Sequence, residues 1–346
     1  MKASTMLKIC FAGVMLVILG VSTLVYRIDP YFYFNKPNEN LKYAMAMNDF
    51  EFYNAGIAKN FDYDTIILGS SMTRAFLPSY VDEVMNCKSV KLSMASARGK
   101  DFSTLLPLVI KNENLKTVIF GLDSFAFNVD VEYTDIELPT FMYESGLHNT
   151  MQYLYNIDRV LKCIDIYRDT KNNVSSTTMD DYQNYALNSS NFSKEKVIEI
   201  YKRKNVKKVK DEPFDLIKQR VENNLNENII PFIEARQDVK FKFFMPPYPI
   251  INWSITPNLK NEISSVYFII NRLIDLPNVE IYYPQAEMDI ITNLDHYMDT
   301  KHYDTVITKE IVDYINNDQN RISRDNLIAT LEGFYDTMDT YDFSIY

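Results

Sequence analysis

The stretch Thr65-Ile66-Ile67-Leu68-Gly69-Ser70-Ser71 decides the fold. An uninterrupted β-branched and aliphatic run ends in a glycine and two serines. A short apolar run closed by turn residues reads as a strand buried on both faces, and such strands belong in parallel sheets. Val90–Met94, Thr117–Leu122, Lys240–Met245 and Val279–Tyr282 read the same way. Helical periodicity separates the first three strands, at Leu77–Met85 and Phe102–Lys111. The alternation predicts an α/β chain, a doubly wound parallel sheet of five strands covered by helices. Ligands of such sheets bind beyond the carboxyl ends of the strands, which is where Ser71 falls.

The late stretch Asp299-Thr300-Lys301-His302-Tyr303 supplies a D-x-x-H pair. The chain has only three histidines, His148, His296 and His302, so the pairing carries weight. A serine is a weak nucleophile until an imidazole takes its proton, and a carboxylate holds the imidazole in the useful tautomer. Ser71 at a strand end with Asp299 and His302 arriving late is the residue set of a serine esterase or acyltransferase. The structural alternative for Ser71 is a helix N-cap. His296 reads as a surface or supporting residue. Arg74, Tyr248 in Pro246-Pro247-Tyr248, and the lone tryptophan Trp253 are the candidate substrate contacts, Trp253 as a sugar platform.

At 346 residues the chain is long enough for a sizeable core. A net charge of −10 argues against nucleic acid as a partner. Lys2 and Lys8 precede an uncharged apolar run of 18 residues from Ile9 to Tyr26, and Arg27 follows. That length just spans a bilayer and exceeds the core of a secretory signal. The expectation is an uncleaved single-pass anchor over residues 1–27 with the remainder extracytoplasmic; a cleaved signal peptide is the alternative. Asp29-Pro30-Tyr31-Phe32-Tyr33-Phe34 forms an aromatic collar suited to the membrane interface. Residues 39–60 read as a polar helix.

Residues 28–318 then form the α/β domain, in which 128–238 read as a mostly helical insertion, and 319–346 form a helical tail. The insertion carries a basic run, Lys202-Arg203-Lys204 with Lys207, Lys208 and Lys210, read as a solvated helix face or, alternatively, a docking site for an anionic polymer or lipid. Cys87 and Cys163 read as unpaired thiols, with pairing in an oxidising compartment left open. No Cys/His spacing resembles a metal site, and no cofactor motif is present.

The anchor, Asp29-Pro30, Gly69-Ser70-Ser71, Phe244-Met245-Pro246-Pro247-Tyr248 and the D-x-x-H block together resemble the SGNH (GDSL-like) hydrolase superfamily over residues 25–318. The likeness is to its membrane-anchored branch in cell-surface polymer acylation, which includes the teichoic-acid D-alanylation accessory protein and the alginate O-acetylation proteins. The resemblance implies a flavodoxin-like three-layer α/β/α sandwich, with Ser71 as nucleophile, His302 as base and Asp299 as its orienting acid. It further implies an oxyanion hole built from the N–H of Ser71, a glycine after the second strand and an asparagine after the third. Here Ser96 or Gly99 stands for the glycine. Asp123 stands where the asparagine is expected, with Asn128 as the alternative donor. The implied partners are a cell-envelope polysaccharide or polymer and a multi-spanning membrane acyltransferase. Asp123 also motivates the rival reading, a catalytically silent scaffold that binds glycan or partner through the same cleft.

Overall fold

In a computed structural model, residues 3–187 and 189–346 are described; Lys2, invoked above for topology, lies outside them. In chain order the helices before the sheet are α1 (Ala3–Ile28) and α2 (Phe50–Asn60). Then follow β1 (Thr65–Gly69), α3 (Pro78–Met85), β2 (Ser89–Ser93), α4 (Gly99–Val109) and β3 (Thr117–Gly121). Between β3 and the next strand lie α5 (Thr140–Tyr143), α6 (Leu147–Leu154), α7 (Ile157–Lys171), α8 (Lys194–Lys202), α9 (Phe214–Asn228) and α10 (Ile230–Ala235). The chain ends with β4 (Lys240–Phe244), α11 (Ile250–Ser254), α12 (Leu259–Leu273), β5 (Val279–Tyr282), α13 (Met288–Thr292), α14 (Thr305–Asn316) and α15 (Leu327–Thr340). Two compact units result: Met1–Phe61 with Leu138–Thr178, and Asp62–Glu137 with Met179–Tyr346.

The larger unit is an α/β/α sandwich. Its strands are all parallel, in the order β2-β1-β3-β4-β5. Ile66, Ile67 and Leu68 of β1 are fully buried, and each such side chain contributes about 1.5–3 kcal/mol by leaving water. Phe120 and Phe243 meet across β3 and β4 with ring centroids 5.5 Å apart. Helices α3 and α14 pack together, and α9 packs on α4, α10 and α12. The tail helix α15 lies on α11 and α12. The strand order reverses between β1 and β3, which opens a crevice beyond their carboxyl ends.

The smaller unit collects α1, α2, α5, α6 and α7. Residues 138–178 of the expected insertion therefore cluster with the N-terminal segment. Helix α1 reaches a mean hydropathy of 2.4 over 18 of its residues and is long and apolar enough to cross a membrane. Asp29 organises the chain where α1 ends. Its Oδ1 accepts from Tyr33 N–H and the Tyr153 hydroxyl, and its Oδ2 from Phe34 and Asn35 N–H. Burial pushes its pKa up against those donors. The expected helix over 39–60 is only its second half. Residues 42–45 instead have no regular structure, Lys42, Tyr43 and Met45 N–H donating to the hydroxyls of Thr170, Ser176 and Thr177. Cys10, Cys87 and Cys163 are free thiols.

Candidate active site

The nucleophile turn is built by close approach. Gly69 ends β1 at φ +154°, and a Cβ there would lie 2.6 Å from Thr73 Cγ2 and 3.1 Å from Gly121 O. A side chain does not fit, so the chain folds directly from β1 into the single 3₁₀ turn Ser71–Thr73. Ser70 caps that turn, its Oγ accepting from Met72 N–H at 3.2 Å. The N-cap weighed above for Ser71 thus belongs to Ser70. Thr73 Oγ1 donates to Ser70 O and meets Ser93 Oγ at 2.7 Å, fastening the turn to β2. Ser71 is left half-buried with its hydroxyl projecting.

That hydroxyl meets the late block. Ser71 Oγ is 2.9 Å from His302 Nε2, and His302 Nδ1 is 2.7 Å from Asp299 Oδ2. The other carboxylate oxygen, Asp299 Oδ1, accepts from the N–H groups of Lys301 and His302 at 2.7 and 2.8 Å. Charge-assisted bonds to His302 and these N–H groups outweigh burial and hold the Asp299 pKa below its ordinary value. A backbone bridge between Tyr297 and Tyr303 and the bond from Met298 N–H to His302 O close the segment into a small hairpin. Tyr297 OH ties it to Pro247 O at 2.9 Å. His296 also has a carboxylate partner, Asp304, at 2.8 Å, but Asp304 caps α14 through Val306 and Ile307 N–H. That second pair is a helix cap.

The candidate oxyanion residues separate. Ser96 adopts φ +63°, the left-handed region where glycine is at ease, so the backbone there has the form a glycine would take. Gly99 serves packing instead: a Cβ would lie 1.8 Å from Asn224 Oδ1 of α9. Asn128, the alternative donor expected above, does not serve the oxyanion hole. Its amide donates to Ser265 Oγ at 2.9 Å and accepts from Arg220 Nε at 2.7 Å, so it is committed to α9 and α12.

Asp123 is buried beyond the end of β3. The Tyr248 hydroxyl donates to its Oδ1, while Oδ2 has no hydrogen-bond partner among the described residues. Desolvation raises its pKa against the neighbouring Ser70 and Tyr248 hydroxyls and the nearby Lys301 and His302. Glu262 sits close by, takes a hydrogen bond from Ser124 Oγ, and is raised chiefly by burial as well. Two acids buried close together disfavour each other's ionisation, and the Asp123 charge adds to the rise at Glu262.

Of the candidate substrate contacts, Tyr248 is committed to Asp123. Trp253 is no sugar platform: it is 5% exposed, edge-on to Phe334 at 4.9 Å and to Tyr248 at 6.4 Å. Arg74 lies three residues past Ser71 and its Nε reaches Gln183 Oε1 at 3.4 Å. The basic run is not a helix face. Most of it follows α8 as irregular chain, where Lys208 Nζ binds the carbonyls of Ser254 and Thr256.

Sequence reasoning missed two contributors. Residues 180–185 reach the site: the Tyr185 ring stands edge-on to His302 at 5.4 Å, and its OH donates to Tyr303 O at 3.0 Å. Lys91 is fully buried on β2 and its Nζ donates to the carbonyls of Arg74 and Phe76, at 2.8 and 2.9 Å. It braces the chain just past the nucleophile. A buried Lys in an apolar strand was the available signal; Tyr185 had none.

No protein-family model matches this sequence, and no curated protein sequence is significantly similar to it. Function is therefore read from the site itself.

Proposed function

We propose that the protein is a membrane-anchored serine esterase or O-acyltransferase of the SGNH type, acting on acyl groups of a cell-envelope polysaccharide or polymer. The observation that carries the reading is the relay Ser71 Oγ–His302 Nε2–Nδ1–Asp299 Oδ2, at 2.9 and 2.7 Å, beyond the carboxyl ends of a parallel sheet. In this reading Ser71 Oγ attacks an acyl carbonyl as His302 Nε2 takes its proton. Asp299 holds the ring and stabilises the imidazolium. His302 then returns the proton to the departing alkoxide, leaving an acyl ester on Ser71. A water or a carbohydrate hydroxyl, deprotonated by His302, takes the acyl group and frees Ser71.

The N–H of Ser71 heads the 3₁₀ turn, where backbone donors lack partners within the turn, and would serve the developing oxyanion. The raised pKa of Asp123 supports the catalytic reading over the silent scaffold, because a protonated acid donates where a carboxylate repels. The apolar α1 supports a single-pass anchor; in this reading the sandwich lies outside the cell, where an envelope polymer would meet it. The partner in this reading is a multi-spanning membrane acyltransferase that delivers acyl groups across the bilayer.

The full chain in detergent should react with a serine-directed fluorophosphonate and hydrolyse an aryl acetate. Ser71→Ala should abolish both while leaving the melting temperature nearly unchanged. Equal labelling of the two proteins would assign the reactivity to another residue and end the proposal.

A further inference from the structure

Within the smaller unit, α6 and α7 carry more apolar surface than a water-facing helix pair tolerates. On α6 and its C-cap, Leu147, Met151 and Tyr155 are exposed at four-residue spacing. On α7, Ile157, Leu161, Ile164 and Tyr167 are exposed at spacings of four, three and three, one face of the helix. The opposite face of α7 is independently buried, through Cys163 and Ile166. Helix α7 therefore has two apolar stripes, and only one is needed to hold the unit together. An exposed contiguous stripe marks an interaction surface.

The neighbour of these helices says what covers the stripe. Both α6 and α7 pack against α1. Tyr155 OH meets Ser22 Oγ of α1 at 2.6 Å. Ser22 lies six residues before the end of α1 at Ile28, about 9 Å back along a helix rising about 1.5 Å per residue. It is inside the apolar run that must occupy the bilayer for α1 to span it. Whatever lies level with Ser22 is therefore at the boundary of headgroups and acyl chains. Tyr155 and Tyr167 are the aromatic types that favour that boundary. Arg168 and Lys171, exposed at the C-terminal end of α7, have stems long enough to reach headgroup phosphates.

We propose that α6 and α7 lie in the membrane surface, their exposed stripes sunk about 5–10 Å into the lipid boundary beside α1. The occupant of the stripe is phospholipid. This rests on the membrane-spanning reading of α1, and it makes the N-terminal unit a rigid foot on the bilayer in place of a helix on a free tether.

Site-directed spin labelling of the full chain tests it, in nanodiscs of phosphatidylcholine and phosphatidylglycerol. In a background of Cys10→Ser, Cys87→Ser and Cys163→Ala, one label is placed at Leu16→Cys, Leu147→Cys, Leu161→Cys, Ile164→Cys or the exposed turn residue Asn114→Cys. Each labelled position carries an exposed side chain, so the label displaces no packing, and the buried Cys163 is replaced by the small apolar alanine. The expected result is a relaxation enhancement by oxygen exceeding that by a water-soluble nickel chelate at 147, 161 and 164, still more so at 16, and the reverse at 114. Oxygen preference at 16 with nickel preference at 161 and 164 would overturn this inference and leave the anchor standing. Nickel preference at 16 would overturn both. Labels at 161 and 164 that are immobilised and shielded from both reagents, or broadened by a second copy, would mean that protein covers the stripe, which also overturns it.

Discussion

Replacing Asp299 by asparagine separates a catalytic relay from a mere hairpin turn. Both carboxylate oxygens of Asp299 act as acceptors: Oδ2 takes His302 Nδ1–H, and Oδ1 takes two backbone N–H groups, from Lys301 and His302. An asparagine has one acceptor oxygen and one NH₂ donor. If the oxygen stays on the backbone, the NH₂ faces Nδ1 and forces the proton onto Nε2, which then cannot receive the proton of Ser71. If the oxygen turns to Nδ1, the NH₂ confronts two N–H donors and the turn loses both bonds. The first outcome preserves the hairpin, so the expected loss falls on rate: about 10³–10⁴ in kcat, or about 4–5.5 kcal/mol at 1.36 kcal/mol per decade. Weakening the contact to one half-buried side should cost about 1–2 kcal/mol of stability. The assay is aryl acetate hydrolysis with stopped-flow acylation, alongside thermal melting by circular dichroism. A folded Asp299→Asn protein within tenfold of wild type in kcat would refute the relay. The sign of the pH effect is also defined. A carboxylate held below its ordinary 3.8 stabilises the fold fully above that value, and the contribution is lost as pH falls through the lower folded value. Acid unfolding below about pH 4 should therefore be less steep in the variant.

Asp123→Asn should leave the rate flat on the alkaline side, whereas the wild-type rate should fall by about 10²–10³ as pH rises through the raised Asp123 pKa and the donor is lost; identical pH profiles would take Asp123 out of the oxyanion hole. Ser96→Gly should raise stability by about 1 kcal/mol, measured by urea unfolding, because it relieves a left-handed non-glycine residue; a loss would mean that the Ser96 side chain contributes contacts of its own. Lys91 is pushed down to about 7 by burial, from an ordinary 10.5. Between those values the unfolded chain binds more protons, so stability should rise with pH by up to about 1.4 kcal/mol per unit. Lys91→Met should flatten that rise in denaturant titrations between neutral and alkaline pH, and an unchanged slope would show that Lys91 is charged where it lies.

The strands were legible because their signal is local. β1, β3 and β4 each start where the apolar run predicts, and β5 matches at both ends. Fully buried parallel strands must be continuously apolar, so burial is written into consecutive residues. The D-x-x-H block was legible for a similar reason. One carboxylate caps its own turn at Lys301 and His302 and reaches the imidazole three residues on, which needs no distant partner. Lys91 shows the limit of such reading, since nothing adjacent in sequence announces the Arg74 and Phe76 carbonyls that neutralise its burial.

Composition and spacing alone determined an apolar N-terminal helix and a five-stranded α/β chain, and singled out Ser71, Asp299 and His302 as residues to look for together. Only the tertiary structure decided which serine projects: Ser70 turns inward to cap and Ser71 outward to His302, a choice made by the close packing of Gly69, Thr73 and Gly121. It also buried Trp253 behind Tyr248 and Phe334, committed Asn128 to Arg220 and Ser265, and brought Tyr185 to His302. Each of those outcomes depends on a contact between residues tens to hundreds of positions apart. A hydrogen bond or ring contact of that kind leaves no period and no local pattern in the chain, because it is set by how the elements pack and not by how each one forms.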